Sequence, residues 1–257
     1  TRCHIGSISG GVERGLRPPY LAGMLTKTPA IVLRVVDYGE TSSIATLYTR
    51  THGLLSFLVN GVRSAKSRGK ASMLRPMSIL ELSCMVRESK NLQRIREMAW
   101  AHLYTRLPFD TARSTVAMFL NEVLTRCIRE EEPNEDLFDF IEGRLIALDR
   151  DETVSPRFHI DFLLDFAEKL GFGPQGERSA QAPQFDLSGG GFTDVPDEPR
   201  AALSDAESRL MDRVIRRQDL GRSDRNTALT LLERYYMWHV EGLRGFRSIE
   251  VLRAVMG

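Results

Sequence analysis

From residue 30 to residue 100 the apolar positions fall in short runs, several of them with a period of two, separated by turn residues. Ala30–Val36 (AIVLRVV) is apolar and β-branched, and Ser43–Thr51 (SIATLYTRT) alternates. Gly53–Asn60 (GLLSFLVN) follows a short turn at His52–Gly53. Met77–Val86 (MSILELSCMV) and Leu92–Trp100 (LQRIREMAW) complete the set. In the fourth segment Ile79, Leu80 and Leu82 point inward or toward an edge while Glu81 faces water. Five short strands joined by turns predict a small Greek-key barrel of the OB type.

Around Pro108 the period changes to that of a helix. Asp110 is a plausible N-cap for Thr111–Arg129, where Val116, Phe119, Leu120, Val123, Leu124 and Cys127 share a face. Asp136–Asp149 predicts a second helix after the break at Pro133–Asn134. Ser155-Pro156 opens a third, which runs to Leu170 and is closed by Gly171. Residues 173–200 lose periodicity and form a long Gly/Pro loop with a short hairpin around Phe185–Phe192. Ser204 starts another helix, with Asp205 and Glu207 in its first turn. Ser223–Leu243 and Ser248–Met256 complete an all-helical second half. The chain is therefore α+β and multidomain: residues 24–103 a barrel, and residues 104–257 a helical domain with the loop 173–200 inserted. Residues 1–23 are rich in Gly, Arg and Pro. They predict a flexible N-terminal extension, with Met24 as the first natural residue.

Charge sharpens this division. The net charge is +1, but residues 1–103 hold 15 Lys+Arg against 6 Asp+Glu, and the remainder holds 20 against 28. A basic half suits nucleic acid, and both halves can equally be ordinary surfaces. The cysteines, Cys3, Cys84 and Cys127, are few and far apart, with no CxxC spacing. They argue against a disulfide framework or a cysteine zinc site and for a reducing, cytoplasmic setting. No apolar run is long enough to span a bilayer, so no membrane partner is expected.

Catalytic patterns are weak. The five His residues show no ligand spacing. Asp161, Asp165 and Glu168 lie about a turn apart and could face a divalent metal in a nuclease, or be solvated helix acids. Gly69-Lys70 lacks the glycine and the hydroxyl residue that a P-loop requires, and Gly189–Gly191 is no dinucleotide fingerprint. No cofactor or metal site is expected.

Binding patterns are stronger. Gly61–Arg75 (GVRSAKSRGKASMLR) carries Arg63, Lys66, Arg68, Lys70 and Arg75 and no acid, and it reads as a loop. Such a loop can neutralise successive phosphates, or can be basic for solubility alone. Arg34, Arg94 and Arg96 lie on the strands, with Arg87 and Lys90 at the adjacent turn, where they extend a basic groove or discourage edge pairing. Tyr38, Tyr48, Phe57 and Trp100 are candidate stacking platforms. Alternating strand aromatics usually fill a barrel, and Tyr38, in the turn-like DYGET, is the least core-like.

The stretch from Ala30 to Leu82 resembles the start of the bacterial recombination mediator family RecO. Its features are Arg34, the DYGE of Asp37–Glu40, Thr49–Gly53, the Gly61–Arg68 loop, and Leu74 through Leu82. FHIDFLLDFAEKLGFGP is similar to that family's central helix. The resemblance implies an N-terminal OB-fold and a helical domain. It also implies binding of single- and double-stranded DNA and annealing of complementary strands. The implied partners are RecR (and RecF), in loading RecA onto DNA coated by the single-strand-binding protein SSB. It further implies a docking site for the acidic, Phe-ended SSB tail, for which Arg113, Arg126, Arg129 and Arg157 are the candidate cations. Many members carry a four-cysteine zinc ribbon; residues 173–200 contain no cysteine, so a zinc-free remnant is expected. The alternative is a scaffold whose OB-fold docks a partner protein instead of DNA.

Overall fold

The computed structural model describes residues 25–63, 68–87, 90–129 and 132–256. The extension over residues 1–23 and Lys66 lie outside the described residues, as does the side chain of Arg68. Five strands close into a barrel in the order β1-β2-β3-β5-β4. They are β1 (Thr26–Tyr38), β2 (Ser42–Thr49), β3 (Gly53–Val59), β4 (Ile79–Met85) and β5 (Leu92–His102). Neighbours are antiparallel except β3 and β5, which pair in parallel over only three positions, Ser56↔Leu92 to Leu58↔Arg94. The barrel is the OB-type architecture that the strand pattern predicts.

The loop expected over Gly61–Arg75 needs correction, because Arg68–Met73 forms a short helix, α1. Its apolar contribution is confined to its end. Met73 packs against the barrel interior, and Leu74, just beyond, is buried in it with Val62. Two adjacent apolar residues give no helical period to read.

β1 shows why the barrel and the helices are continuous. Ala30 and Val32 enter the barrel interior with Ala45, Leu47, Phe57, Leu80 and Leu82. Ile31 and Leu33 point the other way and join the helical core with Tyr48, Met77 and Ile79. A strand buried on both faces reads as an unbroken apolar run. The pairing with β2 skips Leu33 between Val32↔Leu47 and Arg34↔Thr46. This bulge puts Leu33 against the helices and still turns Arg34 outward.

The helices are α2 (Thr111–Cys127), α3 (Glu135–Arg150), α4 (Phe158–Lys169), α5 (Asp205–Ile215), α6 (Arg222–His239) and α7 (Ile249–Met256). Asp110 caps α2 by accepting from the Arg113 amide at 3.0 Å. Ser204 and Glu207 form a capping box on α5. Gly171, at φ +84°, turns the chain out of α4. α7 packs on α2, and α4 and α5 pack on α6. Among the described residues no helix is long and apolar enough to cross a membrane.

The cysteine-free loop folds around a two-stranded hairpin, β6 (Gln184–Asp186) and β7 (Gly191–Thr193). Phe185 is fully buried and meets Phe192 edge-on at 5.1 Å and Tyr235 at 6.0 Å. The Asp186 carboxylate accepts from the Ser188 amide and hydroxyl at 2.8 and 2.7 Å and from the Asp197 amide at 3.1 Å. These donors hold its pKa below the ordinary carboxylate value against the opposing effect of burial. Gly190 has φ +72°, and a Cβ there would stand 2.8 Å from the Tyr235 hydroxyl, so the turn requires glycine.

Candidate nucleic-acid interface

Strand register assembles the outer face of the barrel in rows. Arg34, Thr46, Ser56 and Leu92 are directly opposite one another across β1, β2, β3 and β5. Further along lies a second row, Val36, Ile44, Leu58 and Arg94. Directly opposite residues share a face, so both rows lie outside the barrel. The helices cover the other end of this surface, at Ile31, Tyr48 and Leu54. The end that carries the two rows is left open, with Val36 45% and Tyr38 53% exposed.

Beside the rows, the short β3–β5 pairing leaves a chain of cavities. The largest, about 580 Å³, lies between Thr46, Leu55 and Ser56 on one side and Arg87, Lys90 and Asn91 on the other. A second, about 430 Å³, shares Arg87, Lys90 and Gln93 with it and adds Arg94 and Arg96. A third, about 370 Å³, shares Ile95 and Arg96 and is closed by Lys70 of α1. Lys70, Arg87, Lys90, Arg94 and Arg96 thus follow one trough along β5, and Glu97 is its one acid among the described lining residues. Arg94 and Arg96, two apart on β5, share its exposed face, and the β4–β5 pairing skips Arg96 between Ser83↔Glu97 and Cys84↔Ile95, which leaves Glu97 exposed beside it.

The sequence-predicted cations separate into three groups. Lys70, Arg94 and Arg96 converge on the trough, together with Arg87 and Lys90. Arg34 and Arg75 are exposed but line none of these three cavities. Arg63 braces the β1–β2 turn: its guanidinium donates to Asp37 at 2.9 Å and to the Gly39 carbonyl. The aromatic candidates separate as well. Tyr48 and Phe57 are buried, Trp100 packs against the barrel interior, and Tyr38 is open.

Two further residues of the trough are not evident from the sequence. Gln93 is 4% exposed, and its carboxamide holds the β4–β5 turn through bonds to Arg87 and Lys90. His52 lines the largest cavity; burial lowers its pKa, and Thr51 meets its Nδ1 at 2.8 Å. A glutamine at an inward strand position is the available signal for Gln93; His52 carries none.

In the helical half the candidate arginines have distinct surroundings. Arg113 is buried and donates to the carbonyls of Leu148, Asp151 (2.7 Å) and Glu152 (3.1 Å) at the end of α3. Arg126 pairs with Glu122 at 2.8 Å, and Arg157 with Asp161 at 2.9 Å. Arg129 donates to the Glu241 carbonyl and lines a cavity of about 250 Å³ with Tyr48, Leu137, Phe172, His239 and Glu241. Burial pushes the Cys127 thiol up to about 12. Asp161 and Asp165, weighed as metal ligands, each face two arginines. Arg157 and Arg217 approach Asp161, and Arg144 and Arg217 approach Asp165. A divalent ion would have to displace those guanidinium groups.

A closed five-stranded barrel bearing a cationic trough, joined to a helical bundle, is the architecture of an OB-type binding protein. The family model described as Recombination protein O N terminal matches residues 24–104, and Recombination protein O C terminal matches residues 108–248. Proteins named DNA repair protein RecO are similar over nearly their whole length. That of Phocaeicola vulgatus is 34% identical over 237 residues, covering 90% of this chain and 98% of that protein. That of Bacteroides fragilis is 31% identical over 238 residues (90% and 98%), and that of Flavobacterium psychrophilum 31% over 240 (90% and 99%). The chain belongs to the RecO family of DNA repair proteins.

Proposed function

We propose that this chain binds single- and double-stranded DNA, anneals complementary strands, and acts with RecR (and RecF) to load RecA on SSB-coated single strands. The observation that carries this reading is the trough along β5, where Lys70, Arg87, Lys90, Arg94 and Arg96 line connected cavities beside the open rows of β2 and β3. OB barrels bind strands on the β2–β3 face, between the β1–β2 and β4–β5 turns. Here the β4–β5 turn supplies Arg87 and Lys90.

The mechanism is electrostatic. Each cation that meets a phosphate releases counterions, and a surface holding two strands offsets their mutual repulsion while bases pair. Of the predicted cations, Lys70, Arg94 and Arg96 form the proposed contact set, with Arg34 and Arg75 extending it outward.

The division of labour between residues 24–103 and residues 104–257 is part of the proposal. The helical half receives the SSB tail at the cavity beside Arg129, whose lining sets Tyr48, Leu137, Leu170 and Phe172 beside His239, Glu241 and a cation for the terminal carboxylate. The test of the DNA reading is the salt dependence of single-strand binding in a Lys70→Ala, Arg94→Ala, Arg96→Ala variant.

A further inference from the structure

Resting on the DNA-binding reading, we propose that Tyr38 and the row Val36–Ile44–Leu58 form a platform for unstacked bases, which makes this face of the barrel select single strands. The platform is an open apolar strip at the end of the sheet that the helices leave uncovered, beside the more polar row of Arg34, Thr46, Ser56 and Leu92. Ile31, Leu33 and Tyr48 are buried against helices, whereas Val36 and Tyr38 on the same strand system remain 45% and 53% exposed. Ile44 and Leu58 sit beside Val36 in register and are half-buried.

The surroundings specify the occupant. Arg94 ends the apolar row on β5, and Arg34 begins the neighbouring row two residues from Val36. A strip of one aromatic and three aliphatic side chains with a cation at each side suits bases flanked by phosphates. Bases in a duplex are stacked on one another and cannot lie on such a strip; bases of a single strand can.

The edge of the platform is fixed. Tyr38 pairs with Ser42 across the β1–β2 turn, where Gly39 takes φ +62°. Arg63 ties that turn down through Asp37 and the Gly39 carbonyl. Arg63 is thus a positioning residue for Tyr38 as well as a charge.

The test is binding of a fluorescently labelled oligothymidylate, and of a duplex of equal length, to the full chain and to its Tyr38→Ala and Tyr38→Phe variants. Tyr38→Ala loses roughly tenfold on the single strand, with duplex affinity and salt slope unchanged, and Tyr38→Phe binds as the wild type. Equal loss on both DNAs, or no loss on either, overturns the platform; no loss is the result expected if a partner protein covers this strip. A wild-type chain that binds neither DNA removes the DNA reading itself. Tyr38→Trp provides a second readout: its fluorescence falls on adding the single strand but not the duplex, and an unchanged signal with bound single strand also overturns the inference.

Discussion

Gln93 and Arg87 hold each other by two hydrogen bonds: the Arg87 amide donates to Gln93 Oε1 at 3.0 Å, and Gln93 Nε2 donates to the Arg87 carbonyl at 2.9 Å. Gln93 Nε2 also donates to the Lys90 carbonyl at 2.6 Å. A buried side chain at the start of β5 therefore shapes the turn that presents two cations to the largest cavity. Gln93→Leu keeps the volume but leaves the turn's amide and carbonyls without these partners. It should cost about 2 kcal/mol, accelerate amide hydrogen exchange at Arg87 and Lys90, and weaken DNA binding although every charge is kept. Unchanged exchange at both amides would contradict the clamp.

Asp149 is the corresponding anchor between the barrel and the helices. It is 1% exposed and accepts from the amides of Thr105 (3.1 Å), Arg106 (2.9 Å) and Leu107 (2.8 Å), with His102 Nε2 at 3.5 Å. These donors outweigh burial and hold its pKa at about 2. Because the folded value is depressed, the stabilisation is present above the ordinary carboxylate value and is lost as pH falls through about 2. The wild type should lose about 2 kcal/mol between pH 5 and 2 that Asp149→Asn does not lose, as read by denaturant unfolding. Parallel pH profiles would show that the carboxylate is not charged in the fold.

The β6–β7 hairpin, in a loop without cysteine, is held by Asp186 and Phe185. Adding a chelator should leave the melting temperature unchanged, whereas Asp186→Ala should cost about 2 kcal/mol as the Ser188 and Asp197 donors lose their acceptor. A melting temperature that falls with chelator would contradict a hairpin stabilised by side chains alone.

The cavity beside Arg129 makes a further prediction. A short acidic peptide ending in Phe should bind the wild type, and Arg129→Ala should weaken it about tenfold, with Arg126→Ala nearly neutral because Arg129 lines the cavity and Arg126, paired with Glu122, does not. Fluorescence anisotropy of the labelled peptide checks this. An equal effect of the two substitutions would move the tail elsewhere.

Much of the architecture was legible because the period of the apolar residues changes from two to that of a helix near Pro108. The caps at Asp110, Ser204 and Gly171 were legible for the same local reason. α1 was not: its buried residues, Met73 and Leu74, fall at its end and just beyond. Nor was the bulge at Leu33, which depends on what packs on each side of β1. The candidate cations are found by closeness along the chain, but strand pairing decides which of them meet. Arg63, central to the basic loop, is engaged by Asp37, while Lys70 joins Arg96 from another element. Tyr38 stands out in the sequence for its turn-like DYGET context, whereas in the structure it is the last residue of β1, exposed beside the turn.

The measurement that tests the central claim most directly is the salt titration of single-stranded DNA binding. Every phosphate that a substitution leaves without its cation should lower the slope of log affinity against log salt by about 0.7. Replacing Lys70, Arg94 and Arg96 with Ala should weaken binding and flatten the slope by about 2, with an unchanged melting temperature. A variant that binds with the wild-type slope would contradict the trough along β5 as the path of the DNA.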